Sequence, residues 1–433
     1  MATTAPWVYV EDLGAHAGEP VVVKGWVSHL RSSGQVKFVV LRDGTGIVQC
    51  VLSKDQSPSA VEAFDQLTQE TSCVVEGTVR QDRRAPGGFE ITATGLEVVH
   101  RAAPFPITPK EHGVAFLMEN RHLWLRSSKQ HSVLRVRAEV MRASRDYFDR
   151  QGFVEVDSPI LTPSAAEGTT TLFETDYFDS KAYLSQSGQL YNEAACMAFG
   201  RVYCFGPTFR AEKSKTRRHL TEFWMLEPEI AFGNLETVFE LAEGLVTSIV
   251  ERVLERRSAD LANLERDVSL LERIKKPFPR ISYDEALEIL RGRGCPIDWG
   301  SDLGGDEETE LSKAFERPVF VHRYPAKSKA FYMQPDPENP AVAMCTDLIA
   351  PEGCGEIIGG SERIYDLALL ERRLEEFGLP RAAFEWYLDL RRYGSVPHSG
   401  FGLGLERLVA WICGIKHIRE AIAFPRMMYR VYP

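Results

Sequence analysis

Between residues 21 and 100, apolar and polar positions alternate in five short runs, VVVKGWVSHL, KFVVLRDG, GIVQCVL, SCVVEGTVRQ and FEITATGLEVV, separated by glycines and polar turn residues. Period-two alternation bounded by such turns predicts half-buried strands, so this segment reads as a small all-β barrel. Three prolines in AAPFPITPK, residues 102–110, enforce an extended linker after it. The period then changes. Val133, Val136, Val140, Met141, Tyr147 and Phe148 follow helical spacing, the helix stops at Gly152, and Phe153, Val154 and Val156 form a strand ended by Pro159. Strand-like runs at 202–212 and 219–230 flank a polar loop at 213–218 and predict an antiparallel hairpin with a basic tip. Amphipathic helices are expected over 235–257 and around 283–291, and another opens at Leu405 after the glycine-spaced run SGFGLG. The acidic stretch GGDEETE, residues 304–310, reads as a solvated helix start, and YPAKSKAFYM, residues 324–333, as a strand.

The hairpin is the most informative of these elements. Arg210 and Glu212 fall on one face at period two, and Glu222 with Phe223 returns on the other strand. A guanidinium clamps phosphates, a phenyl face stacks on a base, and carboxylates accept from an exocyclic amine or hold a cation. Together these side chains suit ATP without a glycine loop, although alternating charges alone also describe a solvated sheet edge. Glycines 400, 402 and 404 permit close backbone approach, and Arg407 projects from the strand-to-helix junction that follows. GFGLGLER lacks the third glycine of a dinucleotide fingerprint, and there is no Walker lysine motif. Asp347 and Glu356, in CTDLIAPEGCGEIIGGSER, are paired acids beside glycine-rich backbone, suited either to Mg²⁺ or to a solvated turn.

Taken in order, the segments around Pro159, the 205–229 hairpin and SGFGLGLERLV resemble motifs 1, 2 and 3 of the class II aminoacyl-tRNA synthetases. That resemblance implies an α+β chain: an N-terminal all-β OB-fold barrel joined to a class II catalytic domain with an antiparallel sheet flanked by helices. The expected division is 1–101 for the anticodon-binding barrel, 102–125 for a linker or hinge, and 126–433 for catalysis. By position it implies Arg210, Glu212 and Arg407 as catalytic residues. Arg210 would hold the α-phosphate, Phe223 and Arg407 would sandwich adenine, and Arg218 and His219 would approach the distal phosphates. Glu212 and Glu356 complete the ATP-binding set, with Glu356 and Asp347 as Mg²⁺ ligands. Pro159 is implied at a homodimer interface.

GWVSHLRSSGQVKFVVLRDGTGIVQCV is similar to the anticodon domain of the aspartyl, asparaginyl and lysyl subgroup. There the aromatic matching Phe38 stacks on the central anticodon base and the residue matching Gln49 hydrogen-bonds it, with Arg31 and Arg42 further basic candidates on the barrel face. YLSQSGQLYNE, residues 183–193, resembles the subgroup's amino-acid loop, implying Ser187, Gln189, Glu227 and Arg363 around the amino acid. Aspartyl members carry a lysine where this chain has Asn192. A carboxylate facing Arg363 alone would lack one cationic partner, a loss of about 3 to 5 kcal/mol for a buried pair. A carboxamide needs one donor and one acceptor, which Arg363 and Glu227 can supply. The implied activity is therefore ATP-dependent ligation of asparagine to tRNA(Asn) through an adenylate. The rivals are aspartate loading, a tRNA-independent amide synthetase, and an RNA-binding protein with an inactive core.

Composition is compatible with this reading. The 433 residues contain 44% hydrophobic residues, enough for two cores, and the net charge of −10 confines any nucleic-acid surface to local patches. Eight cysteines without CxxC spacing read as buried thiols in a reducing compartment. No apolar run reaches the roughly 18 residues of a membrane span, and MATTAPWVYVEDL lacks a signal-like apolar run, so a soluble cytoplasmic protein without a membrane partner is expected.

Overall fold

The computed structural model describes residues 5–163, 172–214 and 216–433; Lys215 of the basic hairpin tip and the first four residues of MATTAPWVYVEDL lie outside the described residues. The chain forms two compact units, Met1–Gly113 and Val114–Pro433. The short helices Val114–Glu119 and Arg121–Trp124, inside the stretch read as a hinge, group with the second unit.

In the first unit the five alternating runs become β1 (Pro20–Ser33), β2 (Val36–Arg42), β3 (Ile47–Ser53), β4 (Ser72–Gln81) and β5 (Phe89–His100), closed into a barrel in the order β1-β2-β3-β5-β4. Alternation explains the closure. Val21, Val23, Val39, Leu41, Val48, Cys50, Val75 and Ile91 all point into one interior cluster, leaving their polar neighbours outside.

The second unit is built on an eight-stranded sheet. Its strands are β6 (Val154–Glu155), β10 (Arg201–Phe209), β11 (Glu222–Ala231), β12 (Arg280–Ser282), β13 (Val319–His322), β14 (Cys345–Ala350), β15 (Gly355–Glu362) and β16 (His398–Gly404), in the order β12-β13-β14-β15-β16-β11-β10-β6. A separate three-stranded sheet contains β7 (Leu161–Thr162), β8 (Glu174–Tyr177) and β9 (Ser180–Leu184). The large sheet is antiparallel through its centre and mixed at its edges, where β6 runs parallel to β10 and β12 parallel to β13. Helices Ser128–Arg150, Leu235–Arg256 and Leu405–Cys413 bury their apolar stripes in a shared core with Leu226, Ile358 and Leu403 of the sheet.

Several expectations require correction. The strand read at 153–156 shortens to two residues. The hairpin strands end at Phe209 and restart at Glu222, so Arg210 and Glu212 lie just beyond the ladder, which a single bond from the Arg210 N–H to the Thr221 carbonyl extends. Residues 324–333 form no strand, because Arg323 turns the chain at φ 60° and only isolated bridges at Pro325 and Met333 follow. The acidic run opens the helix Gly305–Ser312, but Glu308 is not solvated; its carboxylate is largely buried against Arg218 and the Glu356 N–H. Six cysteines are buried, whereas Cys295 and Cys354 are half-buried.

One of the predicted glycines has a firm steric reason. A Cβ at Gly400 would lie 2.2 Å from the Pro228 carbonyl oxygen, whereas one at Gly402 would meet only the movable Met225 Cε, at 2.5 Å. At Gly400 strand β16 therefore passes β11 with no room for a side chain.

Candidate functional site

A cleft opens over β11, β15 and β16. Alternation along β11 places Phe223, Met225, Glu227 and Glu229 on the face opposite Leu226. Glycines 402 and 404 form part of the floor, and Arg210, Glu212, Arg218, His219, Phe223, Glu356 and Arg407 all line the cleft. Each residue assigned to ATP from the sequence is thus brought to one cavity. The Arg210 guanidinium lies 5.3 Å from the centre of the Phe223 ring. Arg407 donates to the Glu356 carboxylate at 2.9 Å and to the Glu356 carbonyl at 3.1 Å. Arg218 is tethered, donating to the Gly305 and Gly353 carbonyls, the Thr309 hydroxyl and Glu308. Burial, followed by the Arg407 charge, pushes His219 below the ordinary imidazole range, which favours its neutral form at neutral pH.

Asp347 and Glu356 converge. A Cβ at Gly359 would stand 2.9 Å from a Glu356 carboxylate oxygen and 3.4 Å from one of Asp347. Burial and the neighbouring Glu356 raise Asp347 to about 6 against the opposing pull of Lys329. For Glu356 burial also pushes upward, but Arg407 and Lys329 outweigh it and hold the carboxyl below its usual range. Lys329, absent from the sequence-based site, donates to Asp347 at 2.9 Å and sits 3.0 Å from Asp302. Two convergent hard oxygen donors fit Mg²⁺. Among the described residues no cluster of three or more metal-ligating side chains occurs, so such an ion would complete its shell with substrate or water oxygens.

The residues assigned to the amino acid from the sequence are more heavily bonded to one another than the sequence suggested. Glu227 accepts from the Ser187 hydroxyl and from the Gly188 N–H at 2.8 Å, and its backbone carbonyl accepts from the Asn192 amide at 2.7 Å. Gln189 donates through its backbone to Ser187 at 3.1 Å and through its side chain to Glu193 at 3.1 Å. Arg363 does not face a ligand alone: it is ion-paired with Glu229 and donates to the Ser361 hydroxyl at 2.8 Å. Burial works against that guanidinium charge, but Glu229 outweighs it and holds Arg363 above its ordinary value. Among the described residues, three of its five N–H donors are engaged.

On the barrel, Arg31 and Phe38 are partners across β1 and β2, with the guanidinium 4.4 Å from the ring centre. Gln49 donates to Glu90 at 3.0 Å, and Arg42 pairs with Glu70 at 2.8 Å. Pro159 is exposed near Val154, Ile160 and Leu161, exposed apolar residues at and beyond the sheet's β6 edge.

Sequence reasoning passed over Glu193, Glu229, Tyr387, Arg391, His398, Lys329 and Glu308. A signal existed for two of them: Glu229 lies two residues beyond Glu227 on the same face, and Glu193 ends the YLSQSGQLYNE loop. The others reach the site from distant elements and carry no local pattern.

Residues 114–428 match the family described as tRNA synthetases class II (D, K and N), and residues 21–99 match the OB-fold nucleic acid binding domain. The chain is 60% identical over 424 residues to the asparagine–tRNA ligase of Desulforamulus reducens, covering 98% of this chain and 99% of that protein. It is 59% identical over 436 residues to the corresponding ligase of Roseiflexus castenholzii, covering 99% of each. Among solved structures it is similar to asparaginyl-tRNA synthetase from Pyrococcus horikoshii complexed with asparaginyl-adenylate, with a TM-score of 0.95, 46% identity and coverage of 98% and 99%. Aspartyl tRNA synthetase from Entamoeba histolytica is less similar, with a TM-score of 0.86, 28% identity and coverage of 100% and 94%.

Proposed function

The chain belongs to the class II tRNA synthetases of the D, K and N group, and from that premise we propose that it ligates asparagine to tRNA(Asn) using ATP. One observation carries the choice of amino acid: the Arg363 side chain, buried behind the cleft, is already charge-matched by Glu229. The pocket thus offers directional donors without a spare positive charge, which suits a neutral carboxamide better than a second carboxylate.

In the first step an asparagine carboxylate oxygen bonds to the α-phosphorus of ATP, the bond to the bridging oxygen breaks, and pyrophosphate leaves. Arg210 stabilises charge on the transferring phosphoryl group, so catalysis is mainly positioning and electrostatics. Phe223 and Arg407 hold adenine between them, Glu212 assists in holding the nucleotide, and Arg218 and His219 receive the distal phosphates once Arg218 leaves its tether. Asp347 and Glu356 would hold Mg²⁺, which when bound neutralises triphosphate charge. Ser187, Gln189 and Glu227 orient the α-amino end, and Arg363 donates to the side-chain amide oxygen. In the second step a ribose hydroxyl of the terminal tRNA adenosine attacks the acyl carbon, releasing AMP.

Arg31, Phe38 and Gln49 read the anticodon, with Phe38 stacking on a base once Arg31 moves aside. The exposed apolar residues around Pro159 support a homodimer along the β6 edge. Among the described residues no helix is long and apolar enough to cross a membrane, and substrates of this kind are met in the cytoplasm. Amino-acid-dependent ATP–pyrophosphate exchange, run with all twenty amino acids and followed by tRNA charging, tests the reading. Asparagine should support exchange strongly; preference for aspartate would refute it.

A further inference from the structure

Behind the amino-acid pocket lies a second set of charges that takes no part in the reaction steps. Glu193, on the helix Gln189–Phe199, has no solvent exposure, and neither do Arg391 and His398. The Glu193 carboxylate accepts from the Tyr387 hydroxyl at 2.7 and 2.8 Å, from Arg391 at 2.7 Å, from His398 Nε2 at 2.9 Å and from Gln189 at 3.1 Å. Four donors occupy the acceptor capacity of this carboxylate. Its direct bonds are therefore spoken for, and what it can still contribute to the pocket is charge.

That charge acts on Arg363. Glu229 pairs with the Arg363 guanidinium directly, and Glu193 lies one residue further in the same buried cluster. The Arg363 backbone N–H donates to the His398 carbonyl at 2.9 Å, and the His398 ring bonds Glu193 at 2.9 Å, close enough for the Glu193 charge to favour the charged guanidinium. An amide is bound through short, directional hydrogen bonds that survive such neutralisation, whereas a carboxylate depends on long-range attraction, which a second negative charge cancels.

Building on the asparagine reading above, we propose that Glu193 is a specificity-determining positioning residue: its buried charge, held by Tyr387, Arg391 and His398, suppresses the attraction of Arg363 for a side-chain carboxylate and so excludes aspartate. The residue touches no reacting atom. It acts through Arg363 and through the orientation of Gln189.

Glu193→Gln keeps the shape and removes the charge, and Arg391→Met removes the opposite charge from the same buried pair. If Glu193 only supports the fold, both variants should lose activity toward asparagine and aspartate in parallel. The proposal instead requires opposite shifts. In ATP–pyrophosphate exchange, with aspartate measured both as substrate and as competitive inhibitor, Glu193→Gln should lower the asparagine-to-aspartate ratio of kcat/KM by about tenfold or more. The gain should come through a lower KM or Ki for aspartate, and Arg391→Met should raise the ratio. An unchanged ratio, or a shift of both variants in one direction, overturns the proposal while wild-type preference for asparagine stands. Preference of the wild-type enzyme for aspartate overturns the reading beneath it as well. Should Glu193→Gln fail to fold, the Arg391→Met ratio still decides: a rise supports the charge account and a fall or no change defeats it.

Discussion

Replacing Glu229 by glutamine isolates the electrostatics of the amino-acid pocket from its shape. Glu229 and Arg363 are each 1% exposed and form an ion pair in the interior of the catalytic unit. In the variant Arg363 keeps its bond to Ser361 and gains one amide oxygen, but it faces an NH₂ group where a second carboxylate oxygen stood. Breaking a buried pair by removing one charge costs about 3 to 5 kcal/mol, and the retained acceptors place this case near 3. That is a factor of roughly 150 in the folded-to-unfolded ratio of the catalytic unit, at about 1.4 kcal/mol per tenfold. Denaturant titration should therefore show a lower midpoint with an unchanged slope. The double variant Glu229→Gln/Arg363→Met, which removes both charges, should be more stable than Glu229→Gln while losing asparagine activation. A cost below about 1 kcal/mol for the single variant, or a double variant no more stable than the single, would refute the idea that Glu229 neutralises Arg363.

Arg210→Ala should reduce adenylate formation by about 10² to 10³-fold while the fold persists, and near-normal exchange kinetics would contradict its α-phosphate role. Gln49→Ala should raise the KM for tRNA and leave pyrophosphate exchange intact; equal damage to both would assign the residue a structural role instead. His417 accepts the Arg419 N–H at its Nδ1, a bond that requires the neutral ring, and burial together with the Arg419 charge pushes its pKa down to about 4. Because the folded value lies below the unfolded one, this contribution to stability is present above the ordinary imidazole pKa and is lost as pH falls through about 4. His417→Asn, which can still cap the turn Ile418–Glu420, should flatten the stability profile between those values, and an unchanged profile would show that another group titrates there.

What could be read from the chain was local. Strict alternation, turn residues and glycine spacing disclosed the five barrel strands, the hairpin and the strand-to-helix junction at Leu405, because each depends on neighbours in sequence. The hairpin and the junction at Leu405, joined by Glu356 of β15, bring every residue assigned to ATP to one cleft. The stretch 324–333 misled because its aromatic content mimics a strand, while the turn at Arg323 depends on contacts that composition does not encode. Ion-pair partners were the least legible. Arg391 arrives on a helix nearly two hundred residues from Glu193, and Lys329 reaches Asp347 from an irregular segment, so neither pairing leaves a spacing to detect. From the sequence a shortage of positive charge is traced to Asn192, whereas in the structure the Asn192 amide is bonded to the Glu227 carbonyl and the Arg363 charge is met by Glu229.

The close pass at Gly400 also constrains how this enzyme can diverge. A wall built of side chains can be retuned one methylene at a time, but a position where any Cβ meets a neighbouring carbonyl oxygen has only two settings, open or blocked. Adaptation to other amino acids is thereby channelled into residues projecting from β11, β15 and the helix Gln189–Phe199. Random substitution at Gly400 should yield inactive proteins rather than altered preferences.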